Sequence, residues 1–206
     1  MRMKSLCVAI LGSLGVTTVA AEEPKHTVLK KDKEYEIRRY EPYIVAETTV
    51  DGLDHDEASN EGFRRLAGYI FGGNTVRQKI DMTAPVTTEM SRKIEMTAPV
   101  TSERKGGSFR VTFMMPSEFT MESLPVPNDA RVTLTEVPAR TLAAISFSGR
   151  WTDENFQEHA EALRVWISTQ GLKVAGDPII ARYNPPFVPS FFRRNEILIP
   201  VESAGL

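Results

Sequence analysis

Three histidines lie beyond residue 21 of this 206-residue chain: His26, His55 and His159. Imidazole can ligate a metal or move a proton near neutral pH. No two of the three stand at metal-ligand spacing, and no His-Glu-x-x-His is present. The single cysteine, Cys7, falls within residues 1–21, read below as a cleaved leader, so the expected mature chain has no thiol pair or thiolate ligand. There is no Gly-x-Ser-x-Gly elbow for a serine nucleophile. Gly72-Gly73 and Gly106-Gly107 lack the rest of a phosphate loop; they read as a helix stop and a hairpin turn. Carboxylates are plentiful, yet no pair is marked by an apolar setting that would raise one pKa. Acid–base hydrolysis is therefore unsupported.

What remains is an inventory suited to binding. Met82, Met90, Met96, Met114, Met115 and Met121 have soft side chains that fill a core or line an irregular apolar cavity. Core filling is the ordinary role of each taken singly. Gly62 and Gly68 fall inside a helical pattern, where each costs about 1 kcal/mol relative to Ala. Either a strand packs closely against the helix there, or a flat ligand lies on it.

The elements that must position these residues follow from periodicity. Lys79-Ile-Asp-Met-Thr-Ala-Pro-Val-Thr-Thr-Glu89 recurs fourteen residues later as Lys93-Ile-Glu-Met-Thr-Ala-Pro-Val-Thr-Ser-Glu103. Ile, Met, Ala and Val occupy alternate positions in both copies, which predicts two strands with the same buried face. Residues 35–50 predict two short strands around Pro42. Asp56 to Phe71 predicts a helix with Phe63, Leu66, Ala67 and Ile70 on its apolar face, capped by Asp54 or Asp56. A strand follows at residues 108–115. The second half repeats the order: two strands around Pro138, then a helix from Asp153 to Gln170. The second helix has Phe156, Ala160, Leu163 and Ile167 on its apolar face, with Trp166 beside it and Gly171 past its end. Strands are expected at 179–183 and 196–201. At an offset of 97, Ile37, Val45, Ala46 and Gly52 meet Leu134, Leu142, Ala143 and Gly149. This predicts one pseudo-symmetric α+β domain of two β-α-β-β units.

Residues 1–21 read separately, as a secretory signal peptide. Met1-Arg-Met-Lys4 is basic, Leu6 to Val19 is apolar, and Val19-Ala20-Ala21 offers small residues for cleavage before Glu22. The apolar stretch is short of the ~18–20 residues a membrane span needs. The expectation is a periplasmic or secreted protein, a single domain over 22–206, with no stable membrane insertion after cleavage. Glu22 to Lys33 reads as a polar lead-in. Formal charge is −2 and no basic patch is extensive, so nucleic acid is not an expected partner.

Four segments in order resemble the SOUL heme-binding family. They are Gly68-Tyr-Ile-Phe-Gly-Gly-Asn74, the Lys-Ile-x-Met-Thr-Ala-Pro-Val motif, Phe113-Met-Met-Pro-Ser117, and Tyr183-Asn-Pro-Pro-Phe-Val-Pro with Arg193-Arg-Asn-Glu196. They span roughly residues 34–202. The doubled motif looks like the bacterial branch. The resemblance implies a distorted antiparallel β-barrel with two helices, similar to bacterial effector-binding domains. It also implies that heme or another tetrapyrrole binds in an apolar groove along the first helix. Carried over by motif, the groove residues here are Asn60, Phe63, Ala67 and Gly68, with Arg64 or Arg65 in reach of a propionate and Met82 or Met96 beside the pocket. Vertebrate members carry Met and Lys on this helix, so the groove here is less cationic. His159 and His55 are the candidate iron ligands the resemblance leaves. For Arg193, Arg194 and Glu196 the preferred reading is ion pairing between strands.

Three functions are consistent with these residues. The first is non-catalytic carriage, buffering or scavenging of heme or another porphyrin outside the cytoplasm. The second is binding of another flat or amphipathic small molecule. The third is a heme-degrading enzyme, which lacks a firm proximal histidine here.

Overall fold

The computed structural model describes residues 21–51, 54–77 and 91–202. The signal-peptide reading, Cys7, Met82, Met90 and the first copy of the repeat fall outside the described residues.

The chain runs as β1 (His26–Asp32), β2 (Tyr35–Tyr40), β3 (Tyr43–Asp51), α1 (His55–Ile70), β4 (Asn74–Thr75), β5 (Val100–Lys105), β6 (Ser108–Met114), β7 (Val126–Pro127), β8 (Thr133–Val137), β9 (Arg140–Phe147), α2 (Asp153–Thr169), β10 (Ile179–Arg182) and β11 (Asn195–Pro200). Nine strands form one curled antiparallel sheet in the order β1-β2-β9-β11-β10-β5-β6-β3-β8; β4 and β7 pair separately. The α+β class, the half-barrel and the two helices match the sequence expectation.

The duplication is visible in the register. Ile37 on β2 is paired with Ala143 on β9, and Leu134 on β8 is paired with Ala46 on β3. These are the positions that align at the offset of 97. Each half therefore lends its first strand to the other. This interlock joins the two halves in one sheet: Ile37 of the first half enters the core under α2, and Leu134 of the second packs against the core under α1.

Alternation along each strand gives the sheet two faces. On one face, Ile37, Ala143, Ile145, Ile197 and Ile199 pack under α2 with Phe156, Leu163 and Ile167. On the same face, Ala46, Val111 and Phe113 pack under α1 with Leu66, Tyr69 and Ile70. The opposite face carries Tyr40, Leu142, Ala144, Ile179 and Leu198.

Three sequence expectations are corrected. The lead-in up to Lys33 contains a strand, β1, paired along β2. Its side chains are nearly all exposed, so backbone pairing holds it and no hydrophobic alternation announces it. The second copy of the repeat is not a strand up to Pro99; the strand begins at Val100, after a cis Ala98–Pro99 bond. Ile94 and Ala98 are buried there while Met96 points outward, so the period-two face is broken. The buried face of α1 is also rotated from the predicted one. It carries His55, Ala58, Ser59, Gly62, Leu66, Tyr69 and Ile70, leaving Phe63 and Ala67 at its border.

The helix ends agree with capping chemistry. The Asp54 carboxylate accepts from the Glu57 N–H at 2.8 Å, which settles the cap in favour of Asp54. Gly72 follows the helix at φ +115°, a conformation that favours glycine.

Candidate functional site

Seven buried residues fix α1 on the sheet by one side, so its opposite side is displayed. Asn60, Phe63, Arg64, Ala67, Gly68 and Phe71 recur there at helical spacing. Phe63 and Phe71 are 38 and 57% exposed. Asn60, Arg64 and Gly68 are exposed and Ala67 is half-buried. Eleven residues of helical rise separate Asn60 from Phe71, or ~16 Å, which suits the edge of a planar macrocycle. The structure thus brings together the helix residues named from the sequence and adds Phe71. That residue ends the helix predicted from the sequence, where its four-residue spacing from Ala67 was the signal that could have found it.

The two glycines have different causes. A Cβ on Gly62 would stand 2.5 Å from Val111 Cγ2, so Gly62 exists to let α1 settle onto β6. Among the described residues, a Cβ on Gly68 would meet nothing within 4 Å. Packing does not require Gly68, and the bare backbone leaves a flat, open place on the stripe.

Phe63 is anchored edge-on against Phe113 of β6, with ring centroids 5.3 Å apart. Phe113 is the register partner of Val100. Met96, 42% exposed, lies four residues before Val100, on the segment whose Ile94 N–H donates to the Ile70 carbonyl at 2.8 Å. The second copy of the motif is therefore laid beside the last turn of α1. Asn74 fastens it, donating to the Tyr69 and Arg92 carbonyls at 2.7 Å each and accepting from the Arg92 N–H at 2.9 Å. Met114 and Met115 are core residues.

The arginines also separate. Arg65 donates to Glu61 at 2.7 Å, to the Thr49 carbonyl at 3.0 Å and to Thr48 Oγ1 at 3.3 Å, so it ties the helix to β3. Arg64 has an exposed side chain bonded, among the described residues, to Glu61. Hydrogen bonds from Arg64 and Arg65 hold the Glu61 carboxyl below its ordinary range. A solvent-exposed pair of this kind is weak, so the Arg64 guanidinium is free to turn toward a ligand carboxylate.

Neither histidine is brought to the stripe. His55 lies on the buried side of α1, thirteen residues before Gly68, or ~20 Å of helix. Its Nε2 is 3.0 Å from Ser102 Oγ and 3.4 Å from Ser59 Oγ. It borders a cleft of about 420 Å³ between α1 and α2, floored by Phe109, Phe156 and Ile180. Burial, with Arg182 nearby, pushes its pKa down, so the ring is neutral at pH 7. His159 stacks on Phe147 at 3.8 Å, and its Nδ1 lies 2.7 Å from the Asn155 carbonyl. At 100° per residue it faces away from the flank of α2 that borders the cleft, and so away from α1. His26 sits against Tyr40 on β2. Among the described residues, no group of three or more His, Cys, Asp or Glu side chains is placed to hold a metal.

The family's last segment is structural, as expected for Glu196. This buried carboxylate accepts two bonds from Arg38, at 2.8 and 3.0 Å, and others from Tyr183, Ser146 and Arg194. Arg193 is different: it donates to the Val188 and Pro186 carbonyls and lies over the Trp151 ring.

A curled antiparallel sheet carrying two helices, one of them with an apolar stripe exposed among the described residues, defines an α+β half-barrel domain. Residues 21–200 match the family model described as SOUL heme-binding protein, and the chain belongs to that family. It is 29% identical over 163 residues to heme-binding protein 1 of Xenopus laevis, covering 79% of this chain and 81% of that one. It is 32% identical over 155 residues to heme-binding protein 2 of Mus musculus, covering 74 and 71%. Among solved structures, the EcmrR C-terminal domain superposes with a TM-score of 0.57 at 13% identity, covering 82% of this chain and 96% of that one. A protein from Listeria innocua described as a hydrolase gives 0.54 at 12% identity, covering 84 and 94%. These two likenesses are of fold alone.

Proposed function

We propose that this protein binds heme or another tetrapyrrole non-covalently along the outward stripe of α1. In this reading it is an exported protein that carries, buffers or scavenges the ligand outside the cytoplasm without altering it. The observation that carries the proposal is the run of exposed Phe63, Gly68 and Phe71 with half-buried Ala67, on a helix whose other side is packed on the sheet. Family membership supports the ligand class.

The residues fit the group by its faces and edges. Phe63 and Phe71 offer aromatic surface to a flat ring, and Gly68 leaves the space a side chain would fill. Arg64 pairs with a propionate, and Met96 covers an edge. Bound heme would supply iron chemistry, but neither His55 nor His159 is placed to ligate iron over this stripe. The reading is therefore of an apolar clamp, consistent with carriage.

The test is a hemin titration followed by Soret absorbance, comparing the protein with Gly68→Leu. Saturation near one equivalent, weakened about tenfold or more by the substitution, supports the proposal. A Gly68→Leu protein that folds and binds hemin unchanged would place the site elsewhere. A co-purified ligand of non-porphyrin mass would move the ligand class.

A further inference from the structure

The loop between β10 and β11 exposes Phe187, Phe191 and Phe192 at 83, 68 and 71%. Such exposure is unusual for phenyl rings, and three on one loop form a patch. The loop that displays them is well fastened. Arg193 donates to the Val188 and Pro186 carbonyls at 2.8 and 2.6 Å and lies 4.2 Å over the Trp151 ring. The Arg194 N–H donates to Asn184 Oδ1 at 2.6 Å, and the Gly149 N–H to the Ser190 carbonyl at 2.9 Å. Pro185, Pro186 and Pro189 restrict the backbone further. The rings are thus held outward by an ordered scaffold.

Charge indicates what they meet. Residues 184–195 contain two arginines and no carboxylate; Arg194 is paired with Glu23 and Glu196, whereas Arg193, among the described residues, bonds only to carbonyls and keeps its charge uncompensated. Arg150, exposed, adjoins the loop through the Gly149–Ser190 bond. Exposed aromatic rings beside cations are the chemistry of a protein that lies on an anionic lipid surface. A two-fold contact centred on the loop would instead bring Arg150 and Arg193 toward their own duplicates.

We propose that this loop is a peripheral membrane anchor, its three phenyl rings entering the headgroup boundary and Arg150 and Arg193 meeting anionic headgroups. The anchor is independent of the ligand stripe, which lies on a different element.

Co-sedimentation with vesicles of phosphatidylcholine containing one-quarter phosphatidylglycerol tests it. The protein sediments with the vesicles, and added salt or pure phosphatidylcholine weakens the association. The Phe187→Ser/Phe191→Ser/Phe192→Ser variant partitions on the order of a hundredfold less, with an unchanged circular dichroism spectrum. Arg150→Glu lowers partitioning several-fold on the anionic vesicles only. Equal sedimentation of the protein and the triple variant overturns the proposal. So does a protein that stays in the supernatant, whether or not it forms a phenylalanine-dependent dimer or captures a protein partner instead. Hemin titration of the same triple variant remains unchanged, which separates this claim from the ligand stripe.

Discussion

Arg38 on β2 reaches across β9 to clasp Glu196 on β11, with two hydrogen bonds of 2.8 and 3.0 Å to its two carboxylate oxygens. Both side chains are buried. Burial alone would raise the Glu196 carboxyl, but the Arg38 bonds and charge, with the Tyr183 hydroxyl, outweigh it and hold the group down to about 2. Arg38→Met removes two charge-assisted bonds and leaves the buried carboxylate to Arg194, Tyr183 and Ser146, so it is expected to cost about 3 kcal/mol in urea unfolding at pH 7. A loss under 1 kcal/mol would mean that water reaches the pair.

The same pair fixes the sign of the acid response. The folded pKa of Glu196 lies below its unfolded value, so its contribution is complete above about 4.5 and is lost as pH falls toward about 2. Thermal melts from pH 6 to 2 should show falling stability through that window. In Arg38→Met/Glu196→Leu this component of the slope disappears. An unchanged slope in the double variant would assign the acid response to other carboxylates.

Gly62 and Gly68 make opposite predictions. Gly62→Ala drives a methyl into Val111 and is expected to destabilise by about 1–3 kcal/mol. Gly68→Ala adds a methyl in open space and improves helix propensity, so the ligand-free protein gains up to ~1 kcal/mol. Equilibrium unfolding of the two variants side by side reads both signs. A destabilised Gly68→Ala would mean that a part of the chain outside the described residues covers this position.

Arg64 and Arg65 divide in the same way. Arg64→Ala should leave stability within about 0.5 kcal/mol and weaken porphyrin binding a few-fold. Arg65→Ala, losing its bonds to Thr48, Thr49 and Glu61, should cost about 1 kcal/mol of stability and leave affinity unchanged. The reverse assignment would put the propionate on the β3 side of the helix.

The sequence made the architecture legible because the duplication leaves a spatial trace. Ile37, Ala46, Leu134 and Ala143 aligned at a fixed offset, and they are register partners across the two halves. Strand β1 was hidden because its side chains meet water on both faces. The repeat misled in its described copy because Pro99 interrupts the ladder, a constraint that alternation of Ile94, Met96 and Ala98 does not express. On α1, sequence periodicity admitted Phe63 to the buried face. The structure shows the face centred on Gly62, Leu66 and Tyr69, because a glycine can approach a strand more closely than any side chain. Gly62 and Gly68 are the same letter in the sequence, and only the position of Val111 tells them apart.

The measurement that tests the central claim most directly is a paired titration with hemin and with iron-free protoporphyrin. It is run on the protein and on His55→Asn/His159→Gln. The stripe reading predicts saturation near one equivalent with both ligands, affinities within a few-fold of each other, and the same in the double variant. Binding of hemin alone, abolished in a double variant that still folds, would contradict it and make a histidine-ligated iron the basis of recognition.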